Sequence, residues 1–87
     1  MVPDKFIELY YGKYKVVDLH GLTLEEAKAE LIININRVDI DIKCLVVVHG
    51  YHQGQILKKY IRSVFQHKNV KEKVNLDAGR TILLLKF

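Results

Sequence analysis

Two short phrases in the chain carry side chains able to do chemistry: Asp18-Leu19-His20-Gly21 at the end of VVDLHG, and His49-Gly50 at the end of VVVHG. Asp18 and His20 are two apart, so in an extended segment they point to the same side. A carboxylate beside an imidazole can orient the ring or favour its charged form, and an imidazole titrating near ~6.5 can move protons at neutral pH. The same pair has a plainer use, closing a strand end through hydrogen bonds to the backbone. His49 is open in the same way, as a proton carrier or as the buried partner of a carbonyl. His52 and Tyr51 fall in a six-residue loop, 49–54, as ligands or as solvated loop residues. A metal site built from Asp18, His20, His49 and His52 fits no standard ligand spacing, and the single Cys44 leaves no cysteine pair for zinc.

Around these phrases the chain supplies features that suit phosphate. Gly21, Gly50 and Gly54 permit tight turns and close backbone approach, and a helix beginning after Gly54 offers unpaired amides at its positive end. The net charge of +4 is unevenly spread. From residue 44 onward eight basic residues stand against Glu72 and Asp77, whereas residues 1–43 hold six basic and eight acidic ones. Lys58, Lys59, Arg62 and Arg80 therefore belong to a half that could face a polyanion, the alternative being an ordinary solvated face.

Positioning these residues requires strands that end at the two His-Gly pairs. Residues 15–19 are short, β-branched and followed by Gly21, the mark of a strand. Thr23-Leu24-Glu25-Glu26 reads as a capping box opening a helix whose stripe, Leu24, Ala27, Leu31, Ile35 and Val38, recurs every three or four residues. The run 44–48 is continuously apolar, as in a central strand covered on both faces. A second, basic helix follows, with an apolar face of Ile56, Leu57, Tyr60, Ile61, Val64 and Phe65. Residues 70–76 alternate like a half-exposed strand, and Asp77-Ala78-Gly79-Arg80 turns the chain into a last strand. The expected fold is α/β: a two-layer βαβαββ sandwich, a four-stranded mixed sheet with two helices on one face. Right-handed crossovers then put both His-Gly pairs and the 77–80 turn on one rim, at the carboxyl edge of the sheet, where open α/β sheets bind ligands.

The remaining sequence narrows the class. Eighty-seven residues allow one domain, read as 15–87 with residues 1–14 as an arm lacking any clean period. No apolar run approaches the roughly 18 to 20 residues of a membrane span, and the start MVPDKFIELYYG lacks a secretory pattern, so a monomer in the cytoplasm is expected. Cys44, inside an apolar run, is expected to be a buried, inert thiol.

At these residues the chain resembles the small MutS-related, or Smr, domain family. Asp18-Leu19-His20-Gly21-Leu22 with Glu26-Ala27 is similar to its LDLHG…EA signature, His49-Gly50 to the start of its HGxG motif, and Asp77 to Thr81, more loosely, to its third motif. The resemblance implies a sandwich like the C-terminal domain of a bacterial translation initiation factor, binding to DNA or RNA, and in several members endonuclease nicking of DNA or cleavage of RNA. By position it makes Asp18, His20 and His49 the catalytic candidates. Gly21, Gly50, His52, Gly54, Lys58, Lys59, Arg62 and Arg80 become candidates for nucleic-acid binding, with a divalent metal such as Mg left open as cofactor. Two residues depart from the pattern: His52 takes the place of the second glycine of HGxG, and Leu57 stands where many members have an Arg after a leucine-type residue, here Ile56. A non-catalytic nucleic-acid or ribosome-binding module is the competing reading, and a binder of small phosphate compounds a third.

Overall fold

A computed structural model describes residues 4–50 and 55–87. The elements in chain order are helix α1 (Asp4–Tyr11), strand β1 (Tyr14–Asp18), helix α2 (Leu24–Arg37), strand β2 (Cys44–Val48), helix α3 (Gln55–Lys59) running directly into a π-helical turn (Tyr60–Val64), and strands β3 (Val70–Asp77) and β4 (Arg80–Leu85). The expected βαβαββ order is present, preceded by one further helix.

The sheet has the order β1-β2-β4-β3, with β1 and β2 parallel and β4 antiparallel to both of its neighbours. Both crossovers therefore travel the same way along the sheet, which brings α2 and α3 to one face. There Ala27, Leu31 and Ile35 of α2, with Leu57, Ile61 and Phe65 beyond them, bury against Val17, Leu45, Val47, Leu83 and Leu85. Strand β2 is central, its register pairing Leu45 with Leu83 and Val47 with Thr81. Its alternate residues Cys44 and Val46 look to the other face, where they meet Ile7 and Ile82.

Local chemistry explains the element boundaries. The Thr23 hydroxyl accepts from the Glu26 amide at 3.2 Å, and the Glu26 carboxylate accepts from the Thr23 amide at 2.9 Å, so two otherwise unpaired amides of α2 are satisfied at its first turn. Within the segment read as an arm, Asp4–Tyr11 form helix α1, which seals the face opposite α2 through Ile7. It stops at Gly12, whose φ of 89° and amide bond to the Glu8 carbonyl form a left-handed helix end. A Cβ at Gly12 would stand 2.8 Å from Lys43 Cγ, so the position has room for glycine alone.

The second helix buries a narrower stripe than its sequence suggests. Leu57, Ile61 and Phe65, four apart, point inward, whereas Ile56 is 69% exposed and Val64 is also at the surface. The inward leucine is thus Leu57, and the residue after it is the cation Lys58. Cys44 is buried and its thiol is pushed up to about 11 by that burial, the inert state expected of it.

Candidate functional site

Three segments meet at the carboxyl edge of β1 and β2. The Leu19 amide donates to the Val48 carbonyl at 2.7 Å, and the amides of His49 and Gly50 both donate to the Gly79 carbonyl, at 2.9 and 3.1 Å. The β1–α2 loop, the β2–α3 loop and the β3–β4 turn are therefore tied into one rim by their backbones. Gly21 and Gly50 have φ of 81° and 79°, the left-handed region in which other residues are strained. Among the described residues no atom within 4 Å would obstruct a Cβ at Gly21, so the backbone angle is what calls for glycine there; at Gly50 the Cβ would lie 3.5 Å from the His20 Cβ, placing this turn directly beside His20.

Asp18 and His20 form the pair their spacing anticipates. His20 Nδ1 lies 2.5 Å from Asp18 Oδ1, and the His20 amide donates to the same oxygen at 3.1 Å. A carboxylate oxygen accepts, so Nδ1 carries the proton and Nε2 is left as the outward nitrogen. The side chains are 67% exposed for His20 and 53% for Asp18, open enough to meet a polymer. The hydrogen bond from His20 is the main cause that lowers the Asp18 pKa. Asp18 pairs in register with Val48, on the α1 side of the sheet, and His20 follows it to that side.

His49 turns the other way. It succeeds Val48 and points to the helix face, where it is 1% exposed and its Nε2 lies 2.9 Å from the hydroxyl of Thr81, while Nδ1 lies 3.0 Å from the Gly50 carbonyl. Both ring nitrogens are thus engaged, and burial lowers its pKa, with Arg62 and Lys58 adding to the effect. The two histidines that look equivalent in sequence stand on opposite sides of the sheet edge, one open and one sealed.

The basic residues are also divided. Arg62 reaches into the protein: Nε donates to Thr81 Oγ1 at 2.7 Å, and Nη2 donates to the carbonyls of Asp77 and Arg80 at 2.6 and 3.0 Å. Arg80 pairs with Asp77, Nη2 to Oδ2 at 2.8 Å and Nε to Oδ2 at 2.9 Å. Burial opposes the Asp77 carboxylate, but Arg80 and the Gly79 amide outweigh it and the pKa is lowered. Lys59 is exposed and Lys58 half-buried. His52 and Gly54 lie outside the described residues. Among those described, no three His, Cys, Asp or Glu side chains converge in the manner of a metal centre.

Thr81 is the rim residue whose role sequence reasoning missed. Its signal was a hydroxyl in the inward series of the apolar strand RTILLL, since a buried hydroxyl needs a partner.

A four-stranded mixed sheet with this connectivity, carrying an Asp-His pair and glycine turns at one rim, defines a small α/β domain of the Smr type. The Smr domain family model matches residues 17–85, and the chain belongs to that family, one of nucleic-acid-binding and nuclease-like character. No curated protein and no solved structure matches the chain.

Proposed function

We propose that this domain binds DNA or RNA at the rim and cleaves a phosphodiester bond there, with His20 as general acid or base. The observation that carries this reading is the exposed Asp18–His20 pair, in which the carboxylate fixes Nδ1 as donor and leaves Nε2 as the nitrogen for proton transfer. Asp18 in this scheme orients the ring and stabilises it when it takes a second proton, as a buried acid does for a catalytic histidine elsewhere. Left-handed turns at Gly21 and Gly50 let a phosphate approach the backbone, and Lys58 and Lys59 supply cations beside the β2–α3 loop. A divalent metal such as Mg would have Asp18 as its carboxylate ligand and would polarise the phosphate.

The deciding experiment is single-turnover cleavage of labelled single- and double-stranded DNA and RNA, with and without EDTA, by wild type and His20→Asn. Cleavage by wild type that His20→Asn loses supports the reading; equal rates in both would overturn it.

A non-catalytic module on nucleic acid or on a ribosome is favoured by a separate observation. His49, Arg62 and Arg80 all spend their polar groups inside the rim, which leaves fewer groups for chemistry than the sequence offers. Binding without turnover, under every metal condition, is its signature.

A further inference from the structure

A guanidinium only donates and a carbonyl only accepts, so the protons between Arg62 and Gly50 have a single assignment. Arg62 Nε–H donates to Thr81 Oγ1. The threonine hydroxyl is then free to donate its own proton to His49 Nε2, and His49 Nδ1–H donates to the Gly50 carbonyl. His49 is a neutral imidazole with its proton on Nδ1. Burial, with Arg62 and Lys58 on the helix side, disfavours a second proton, against the Gly50 carbonyl and Asp77, which favour it. The chain of bonds ends at the residue whose left-handed turn lies against His20.

Arg62 occupies an uncommon piece of backbone as well. It sits inside the π-helical turn Tyr60–Val64, closed by the Phe65 amide bonding to the Tyr60 carbonyl at 2.7 Å. Such turns concentrate at functional positions, where one extra residue per turn re-aims a side chain. Here the re-aimed side chain spans two carbonyls of the β3–β4 turn and one hydroxyl of β4.

We propose that Arg62 is a positioning residue for the His20 site: it ties the β3–β4 turn to the β2–α3 loop, orients the Thr81 hydroxyl as the donor to His49 Nε2, and so sets the Gly50 turn beside His20. Its kinetic consequence rests on the reading of His20 as the proton carrier; the state of the His49 ring does not. Removing the guanidinium leaves Nδ1–H on the Gly50 carbonyl but frees the Thr81 hydroxyl to rotate, so that its bond to Nε2 is no longer fixed.

The test is nitrogen-15 NMR of the His49 ring from about pH 8 to about pH 5, the range over which a free imidazole titrates, in wild type, Thr81→Ser, Thr81→Val and Arg62→Met. Wild type and Thr81→Ser are expected to hold a single Nδ1–H ring that takes up its second proton at lower pH than a free imidazole. Arg62→Met and Thr81→Val are expected to keep the Nδ1–H ring but to shift its Nε2 signal through the weakened or lost hydroxyl donor, with faster hydrogen exchange at the His49 and Gly50 amides. In single-turnover cleavage, Arg62→Met should slow the step by about tenfold or more at unchanged affinity, the scale of a small misplacement of reacting groups, and Thr81→Ser should stay near wild type. An Nε2–H ring in wild type overturns the proposal, as does an Arg62→Met protein whose ring signals and amide exchange match wild type. Absence of cleavage in wild type would refute the His20 chemistry while the ring signals still decide the role of Arg62.

Discussion

Residue 20 presents an imidazole to solvent and residue 49 hides one, and the two should answer to substitution in opposite ways. His20→Asn removes the ring that Asp18 holds, so cleavage should fall by about 10² or more, the scale of losing a positioned acid or base, with thermal stability nearly unchanged because the side chain is exposed. Asp18→Asn should lose less, since Asn can still accept from Nδ1–H. Matched single-turnover rates and melting curves check both. His49 should instead register in stability. Its folded pKa lies below the unfolded value of about 6.5, so the unfolded chain takes up a proton first as pH falls. The stability contributed by the neutral ring is complete above about pH 6.5 and declines below it, by at most about 1.4 kcal/mol per pH unit for one proton. Denaturant midpoints between about pH 6.5 and pH 5 should therefore fall less steeply for His49→Asn than for wild type; parallel curves would refute the sealed-ring account. The Asp18–His20 pair was readable because two residues apart in a strand is a local relation. The environment of His49 was not, because its partner Thr81 lies 32 residues on and Arg62 reaches that hydroxyl from 19 residues away.

Among the elements, those fixed by neighbouring residues were the ones the sequence made legible. The capping box at Thr23 and the stripe Ala27, Leu31, Ile35 need nothing beyond one helix to be recognised, and α2 begins and ends where they place it. Thr23→Ala should accordingly cost about 1 kcal/mol through the lost cap, read as a shift in urea midpoint at constant slope. Strand β2 was legible as an unbroken apolar run, and its burial on both faces predicts that Val47→Ala costs about 1 to 3 kcal/mol through the cavity it leaves. A negligible loss there would contradict the packing of β2 between β1 and β4. Helix α1 was hidden by its own composition: Phe6, Ile7, Leu9, Tyr10 and Tyr11 spread apolar area over more than half of the helix surface, and only the sheet's open face selects Ile7 as the buried member. In the second helix the same ambiguity let Ile56 and Val64 pass for core, because a wide apolar stripe does not reveal which residues the sheet will cover.

For the molecule as a whole, net charge and its distribution were plain from sequence, but the share of that charge available to a ligand was not. The half beyond residue 44 carries eight basic side chains, yet Arg62 and Arg80 turn inward to hold the β3–β4 turn, and Lys73 donates to the Phe65 carbonyl. Burial lowers the Lys73 pKa, in keeping with a lysine used as an internal donor. Under the proposed function Lys58 and Lys59, on the helix that leaves the rim, are the cations that would meet phosphate there. Each phosphate neutralised releases counterions, so the logarithm of affinity should fall linearly with the logarithm of salt concentration, by about 0.9 per contact on duplex DNA. Replacing Lys58 and Lys59 by Ala together should make that slope shallower by about one to two units and weaken all sequences alike. Arg62→Met should behave differently, leaving the slope nearly unchanged while lowering stability, because its charge is committed to two carbonyls and a hydroxyl within the fold. Salt titrations of binding to one duplex and one single strand, run for wild type and both variants, separate the two roles. A slope lowered by Arg62→Met and untouched by the double lysine change would place the phosphate surface on the guanidinium side of the rim instead.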